Sequence, residues 1–216
     1  MGHRDREKIG EVVGSRGQPC LIVAADAGAE RAIDLGLKPD IIIGDMDSVC
    51  PETLASCREA GIPTQVVPCE KDETDSQLAL EYCLSKGIND LVFVGAFGGR
   101  LDHVLANIIM IAGYMGEERI ARAELVGEDG ELLILRGPQP LQPLRGRKGQ
   151  LVSLIPLSSR VTGVNLEGVK WPLREHSLTW GQTLGVSNVM QGDAGWISLR
   201  SGVLLVFYPS FSSDEP

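Results

Sequence analysis

The sequence predicts an α/β fold with a mainly parallel three-layer α/β/α N-terminal domain, followed by a small antiparallel β-sandwich or barrel. Strand-like and helix-like segments alternate up to about residue 136, as they do in parallel sheets. A proline-rich segment follows at 137–143, and proline cannot continue a helix or a central strand. Beyond it only short β-like runs remain. We therefore expect two domains, residues 1–136 and 137–216.

Apolar and β-branched runs mark the predicted strands. In the first domain they lie at 20–25, 41–43, 64–68, 91–94, 123–126 and 131–135. The run Ile41-Ile42-Ile43 is β-branched throughout, which indicates a strand buried on both faces. In the second domain the runs lie at 151–155, 161–166, 196–200 and 203–208.

Residues typical of the starts and ends of helices lie between the first four predicted strands and after the fourth. The first predicted helix ends at Gly36, and the second has Pro51 near its start. Thr74, followed three residues later by Gln77, has the pattern of a capping box that opens the third helix. The fourth helix runs through Met110.

Composition excludes several classes of partner. The net charge of -9 argues against nucleic acid, which requires a basic face. No apolar run reaches the ~20 residues that span a bilayer, and residues 1–8 lack the apolar region of a signal peptide. Five scattered cysteines suit buried thiols in a reducing cytosol better than disulfides or a zinc site. We expect a cytoplasmic protein without a membrane partner.

The strand at 41–43 runs directly into Asp45 and Asp47. Alternate side chains of an extended segment point the same way, so these two carboxylates share a side. They repel each other unless a cation lies between them, and Mg²⁺, which also binds substrate phosphates, is the usual cation. The alternative is a solvated acidic turn that caps the next helix.

Four successive strands of the first domain are followed by polar loops. Ligands of open α/β sheets bind at the carboxyl ends of the strands, and right-handed connections bring these loops to one edge. We therefore expect six aspartates to converge there: Asp26, Asp45, Asp47, Asp72, Asp75 and Asp102.

Several of these loop residues also have a purely structural interpretation. Thr74, Asp75 and Asp102 could simply stabilise the first turns of helices. The pair Gly98-Gly99 permits either a tight turn or a phosphate cradle. Arg100 is either a bidentate phosphate ligand or a solvated surface charge.

Together the motifs resemble the thiamine pyrophosphokinase family. Four of them carry the resemblance, in order: Asp26-Ala-Gly-Ala, Gly44-Asp-Met-Asp-Ser, Lys71-Asp-Glu-Thr-Asp and Gly98-Gly-Arg-Leu-Asp-His. Val169-Lys-Trp-Pro-Leu and Val186-Ser-Asn resemble the second domain of that family. The resemblance implies transfer of a pyrophosphoryl group from ATP to the hydroxyl of thiamine, giving thiamine diphosphate and AMP. It also implies Mg²⁺, and a homodimer with thiamine bound between two subunits.

The resemblance implies a role for each matching residue. The metal-binding and catalytic residues would be Asp45, Asp47, Asp75 and Asp102. Those that contact ATP would be Asp26, Ser48, Thr74, Gly98, Gly99, Arg100 and His103. Those that contact thiamine would be Lys71, Asp75, Gln77, Ser187 and Asn188. Asp75 is the first candidate for the general base and Asp102 the second.

The chain departs from the family pattern at three places, of which the mildest is Ala27 in Asp26-Ala27-Gly28, where the family usually has Asp-Gly-Gly. Residues 1–19 are polar and contain no convincing counterpart of the usual additional first strand. An aromatic residue often follows the Ser-Asn pair, whereas Val189 and Met190 follow it here. Trp171 or Trp180 could supply the missing ring, unless both belong to the core of the second domain.

Three other functions compete with this interpretation. A phosphatase of the haloacid dehalogenase type also opens with an apolar strand and Asp-x-Asp, with Asp45 as nucleophile and Asp47 as acid/base. A kinase of a hydroxymethylpterin would share the ATP site and differ in the acceptor pocket. A non-catalytic nucleotide sensor would bind ATP without turnover.

Overall fold

The computed structural model describes residues 20–96, 100–127 and 129–210. These residues form two compact units, one ending at Asn89 and the other beginning at Asp90. The predicted domain boundary after residue 136 stays a prediction, and the expectation about residues 1–19 lies outside the described residues.

The first unit is built on a parallel sheet. Its strands, in the order β1-β2-β3, are β1 (Val23–Ala25), β2 (Ile41–Gly44) and β3 (Thr64–Val66). Its helices are α1 (Gly28–Asp34), α2 (Pro51–Glu59) and α3 (Asp75–Ser85). The parallel sheet, the three strands and the three helices that the sequence predicts for this region are confirmed.

Burial explains why the sheet of the first unit forms. Ile42 and Ile43 of β2 are fully buried, as a strand flanked by neighbours on both sides requires. Ile42 packs in a cluster with Ala24, Ala29 and Cys57. Helices α1 and α3 both pack against β1, and α3 also contacts β2. The carboxyl ends of β1 and β2 are thereby held side by side.

The described residues of the second unit form ten strands and one helix. The strands are β4 (Asp90–Val94), β5 (Arg122–Gly127), β6 (Gly130–Arg136), β7 (Gln139–Leu144), β8 (Leu151–Pro156), β9 (Arg160–Glu167), β10 (Leu173–Thr179), β11 (Asn188–Val189), β12 (Gly195–Leu199) and β13 (Val203–Pro209). The helix α4 spans Leu101–Gly116. Among the described residues beyond 136 there is no helix, as the sequence predicts.

Two open sheets face each other in this unit. One has the order β11-β8-β13-β6-β5-β4, and β4 and β5 are its parallel pair. The other is antiparallel with the order β10-β9-β12-β7. Leu154 and Val206 of the first sheet pack with Leu166 and Ile197 of the second in one buried cluster. The sandwich alternative is therefore correct and the closed barrel is wrong.

The proline-rich segment forms a strand that the sequence analysis missed. Pro140 and Pro143 lie in β7, which pairs with β12 at the edge of its sheet. Proline lacks an N–H, so it is tolerated at an edge and not in a central strand. The proline-rich segment therefore begins the predicted second domain and also forms an edge strand.

The five cysteines are all unpaired thiols. The expectation that they are buried is wrong for Cys20, Cys50 and Cys69, which are exposed, and correct for Cys57. No helix in the described part of the chain has the length and apolar character needed to cross a membrane.

Candidate active site

Three carboxylates meet where β1 and β2 end. One oxygen from each of Asp26, Asp45 and Asp47 lies within 4.8 Å of the others. The register of the parallel pair places Ala25 beside Ile43, so the residues that follow each strand are neighbours. The N–H of Asp26 also donates to the carbonyl of Ile43 at 2.9 Å. The backbone of two adjacent strands therefore fixes the cluster.

The backbone at this point is unusually close-packed. Asp26 has φ of 46° and Met46 has φ of 67°, which places both in the left-handed region that few side chains adopt. A Cβ on Gly44 would lie 3.0 Å from Cβ and 3.2 Å from Cα of Asp26. The missing side chain of Gly44 is thus what allows Asp26 to approach the end of β2.

One oxygen of the cluster has no hydrogen-bond partner in the part of the chain that the structure describes. Asp26 is 8% exposed, and its Oδ1 is buried without a hydrogen bond from any described residue. A buried carboxylate oxygen left unpaired is costly, and a cation satisfies it. The donors of the cluster are all carboxylate oxygens, which are the ligands that Mg²⁺ prefers. The residues present therefore fit a magnesium ion.

Hydrogen bonds at this cluster favour the ionised form of Asp45. The N–H of Asp47 donates to Oδ1 of Asp45 at 3.3 Å, and the hydroxyl of Ser48 donates to Oδ1 of Asp47 at 2.8 Å. The bond from the Asp47 N–H lowers the pKa of Asp45, as do the Cys69 thiol and the Lys71 charge, while burial opposes them. Asp45 is consequently an anion at neutral pH.

Lys71 connects the third loop to this cluster. Its Nζ lies 2.9 Å from Oδ1 of Asp75 and 3.9 Å from Oδ2 of Asp45, and all three side chains are largely buried. The bond to Asp75 raises the pKa of Lys71, although burial opposes the shift. The structure thus brings together the loops that follow β1, β2 and β3.

The capping box predicted for the third helix is confirmed. Oγ1 of Thr74 accepts a hydrogen bond from the N–H of Gln77 at 3.2 Å. Asp75 follows in the first turn of α3, where its charge suits the helix dipole. The structural role proposed for Thr74, the capping of a helix, is therefore observed. The cap fixes the first turn of α3, which carries Asp75 beside Lys71.

Arg100 and Asp102 lie in the second unit, where they pair with each other. Nε and Nη2 of Arg100 lie 3.1 Å and 2.6 Å from the two carboxylate oxygens of Asp102, with side chains 73% and 64% exposed. The guanidinium lowers the pKa of Asp102 to about 2. His103 is exposed in the same helical turn, and Gly98 and Gly99 lie outside the described residues.

Ser187 and Asn188, predicted to contact thiamine, have different environments. Ser187 is exposed with φ of 59°, and its N–H donates to Oγ of Ser153 at 2.9 Å. Asn188 is 3% exposed. Trp171 and Trp180 are 54% and 62% exposed, so the alternative that they form the core is wrong.

Two residues that contact the acidic cluster, Gly44 and Cys69, were not recognised from the sequence as its neighbours. Gly44 was part of a motif, but its contact with Asp26 joins two strands and leaves no local pattern. The thiol of Cys69 hydrogen-bonds to Asp45, a contact that also raises the pKa of the thiol. Its only sequence signal is its position two residues before Lys71.

Family comparisons match both parts of the chain. The family described as "Thiamin pyrophosphokinase, catalytic domain" matches residues 17–121. The family described as "Thiamin pyrophosphokinase, vitamin B1 binding domain" matches residues 140–204. Together the two matches cover more than three quarters of the sequence.

Individual relatives agree with these matches. The thiamine pyrophosphokinase of Bacillus subtilis is 28% identical over 92% of this chain and 91% of its own. Thiamine pyrophosphokinase 1 of Oryza sativa is 26% identical over 85% and 77%. The crystal structure of the Bacillus subtilis enzyme superposes with a TM-score of 0.79 at 25% identity, covering 93% and 92%. That of Geobacillus thermodenitrificans gives 0.74 at 28%, covering 91% and 89%.

Proposed function

The chain belongs to the thiamin pyrophosphokinase family, and from that premise we propose how it makes thiamine diphosphate. The donor is ATP, whose pyrophosphoryl group passes to the hydroxyl of thiamine while AMP leaves. The observation that carries this proposal is the cluster of Asp26, Asp45 and Asp47, with its unpartnered buried oxygen. Such a cluster suits a reaction in which alignment and neutralised phosphate charge supply most of the catalysis.

The proposed metal ligands are Asp26, Asp45 and Asp47. When bound there, Mg²⁺ supplies neutralisation of the phosphate charge. The protein's part is to hold the carboxylates in place, which the Asp47 N–H and the Ser48 hydroxyl support. Asp26 enters this set because of its position in the structure, although the sequence assigned it to ATP.

The proton of the thiamine hydroxyl needs an acceptor, for which we propose Asp75. Its pairing with Lys71 uses Oδ1 and leaves the other carboxylate oxygen for the substrate. Asp102 is the second candidate, because its pairing with Arg100 lowers its pKa to about 2, and while that pair is intact the carboxylate is a poor base at neutral pH. A further role of Asp75 and Asp102 as metal ligands stays a prediction.

The remaining nucleotide contacts are proposed from the sequence. Arg100 would exchange its bond to Asp102 for a phosphate oxygen, since its bidentate geometry suits either anion. The other residues predicted to contact ATP are Ser48, Thr74, Gly98, Gly99 and His103.

The acceptor side is proposed to be thiamine bound by Lys71, Gln77, Ser187 and Asn188. A homodimer with thiamine between two subunits and a cytoplasmic location complete the proposal. Sedimentation of the purified chain, with and without thiamine, tests the dimer.

One alternative has an observation of its own in its favour. Haloacid dehalogenase phosphatases need a lysine near the nucleophilic aspartate, and Lys71 lies 3.9 Å from Asp45. The matches to both thiamin pyrophosphokinase domains do not favour this function or the pterin kinase. They do not favour a non-catalytic sensor either, because the named relatives are enzymes.

The test is to identify the products from Mg-ATP, with and without thiamine, for the wild type and Asp47→Asn. We expect AMP that depends on thiamine and disappears in Asp47→Asn. ADP or free phosphate as the product would contradict pyrophosphoryl transfer and revive the phosphatase. ATP binding without turnover would support the sensor.

A further inference from the structure

Two of the five cysteines lie at the same end of the first unit. Cys20 comes shortly before β1, at the amino end of that strand, and its side chain is exposed. Cys83 lies in the last turn of α3. The direction in which α3 runs along the sheet determines which end of β1 this last turn approaches.

Helix α3 runs antiparallel to β1. Its first residue, Asp75, pairs with Lys71, which also approaches Asp45 at the carboxyl end of β2. Cys83 comes two helical turns after Asp75, about 12 Å further along the helix axis. Since α3 packs against β1, its last turn lies towards the amino end of that strand, where Cys20 is located.

The Cys83 side chain is directed towards the sheet and lies close to Cys20. It is one helical turn from Leu80, which is 2% exposed, so the two side chains share the packed face of α3. Burial raises the pKa of the Cys83 thiol, and charge repulsion from Cys20 raises it further. Repulsion of this kind acts between neighbouring groups. Helix packing and electrostatics therefore agree that the two thiols are neighbours.

The other exposed thiols of the first unit lie at the opposite end of its sheet. Cys50 follows β2, where it precedes the first residue of α2 and donates to Glu52. Cys69 follows β3 and contacts Asp45. Both positions are at the carboxyl ends of the strands. The fold thus separates these two thiols from Cys20 and brings Cys83 to it.

We propose that Cys20 and Cys83 form a reversible disulfide when the chain meets a low-molecular-weight disulfide such as oxidised glutathione. The inference does not depend on the proposed function. The exposed Cys20 thiolate attacks one sulfur of the oxidant, which releases one thiol and leaves a mixed disulfide. The Cys83 thiolate then attacks the sulfur of Cys20 and releases the second thiol. The protons of the two cysteines end on the two released thiols, so two cysteines are oxidised and one oxidant disulfide is reduced.

The cross-link closes the segment that carries the acidic cluster. All three strands of the parallel sheet lie between Cys20 and Cys83 in the sequence. A cross-link that restricts the unfolded chain stabilises the folded state. The acidic cluster lies at the opposite ends of the strands, so the cross-link does not contact its oxygens. Oxidation is therefore expected to stabilise the first unit and to leave its cation site intact.

The disulfide is tested by peptide mapping. The reduced chain is treated with oxidised glutathione, its remaining thiols are alkylated, and the digest is analysed by mass spectrometry without reduction. We expect peptides linked through Cys20 and Cys83 in the wild type and in the matched control Cys50→Ser. Cys20→Ser and Cys83→Ser should lack the link and carry glutathione on the remaining partner. Glutathione adducts alone in the wild type, or equal linkage of Cys20 to Cys50 or Cys69, would overturn the proposal.

Thermal unfolding and cation binding test the consequence of the cross-link. Oxidation should raise the Tm of the wild type by about 5 °C or more. It should not raise the Tm of Cys20→Ser, in which an exposed side chain is replaced and the core is untouched. The Kd for Mn²⁺ should agree within about twofold between the reduced and oxidised wild type. A linked chain with an unchanged Tm would overturn the stabilising effect, and a tenfold change in the Kd would overturn the separation of the disulfide from the cluster.

Discussion

The acidic cluster of the first unit and the Arg100–Asp102 pair of the second hold their charges in opposite ways. The cluster lies at the ends of two paired strands, and its oxygens are fixed by backbone contacts and by Lys71. Arg100 and Asp102 are two residues apart, and both side chains are mostly exposed. One arrangement is built into the fold, whereas the other is a local contact between side chains.

Substitutions in the two regions should affect activity and stability differently. Like charges packed at the end of a sheet are held by the surrounding structure, so a change there alters both the geometry and the fold. Exposed ion pairs contribute little to stability, so a change there alters only the contacts with a ligand. Substitutions in the two regions should therefore give different combinations of effects.

The largest expected effect is on activity in the acidic cluster. Asp45→Asn keeps the shape of the side chain and removes the charge, and we expect thiamine-dependent AMP formation to fall about 10²- to 10³-fold. The measurement is the rate of AMP release at saturating ATP and thiamine. The matched control is Asp34→Asn, the same substitution at an exposed aspartate at the end of α1. It should leave the rate unchanged. Equal rates for Asp45→Asn and the wild type would remove Asp45 from the site.

The next effect combines activity and stability. Gly44→Ala places a Cβ 3.0 Å from that of Asp26, so the two backbones must separate. We expect a loss of about 1–3 kcal/mol in the free energy of unfolding, together with an activity loss of at least about tenfold. Denaturant titration and the AMP assay measure the two. Gly113→Ala in α4, where no atom lies within 4 Å of the added Cβ, should lose neither. A Gly44→Ala chain as stable and active as the wild type would contradict the close contact.

The exposed pair should show a loss of function without a loss of stability. Arg100→Lys keeps the charge and loses the bidentate geometry, so we expect the KM for ATP to rise about tenfold. The Tm should not change, because the side chain is exposed. Arg58→Lys, at an exposed arginine of α2, serves as the control for the KM. A clear fall in Tm for Arg100→Lys would show that this pair is structural after all.

The smallest effect concerns pH. Arg100 lowers the pKa of Asp102 to about 2 in the folded chain, so the contribution of the pair to stability is complete above the usual pKa of about 4 and is lost as the pH falls through about 2. The Tm difference between the wild type and Asp102→Asn should therefore shrink as the pH falls from about 4 to about 2. A difference that stays constant over this interval would contradict the pairing.

The sequence predicted those parts of the fold that depend on local pattern. The β-branched run at 41–43 gave a buried strand, and Thr74 with Gln77 gave a helix start, because a few neighbouring residues determine each feature. The edge strand β7 was missed because prolines disfavour most strands. Strand β10 was missed because its many polar residues obscure the alternation of apolar and polar side chains that marks a strand.

The parts that the sequence did not predict depend on distant contacts. The last strand, β13, pairs with both β6 and β8, and nothing in its own residues specifies these neighbours. In the site, the Lys71–Asp75 pair joins a loop residue to the first turn of the helix that follows four positions later, whereas the approach of Lys71 to Asp45 and of Gly44 to Asp26 follows from the sheet order. The residue types of the site could therefore be predicted from the sequence, whereas the contacts between residues distant in the sequence could not.

The central claim is that Asp26, Asp45 and Asp47 form a divalent cation site, and direct cation binding tests it. Mn²⁺, a paramagnetic substitute for Mg²⁺, is titrated into the wild type, Asp26→Asn, Asp45→Asn and the control Asp34→Asn, and free Mn²⁺ is followed by electron paramagnetic resonance. We predict saturable binding to the wild type and the control, weakened at least about tenfold in the two cluster variants. Equal Mn²⁺ binding by all four chains would contradict the claim.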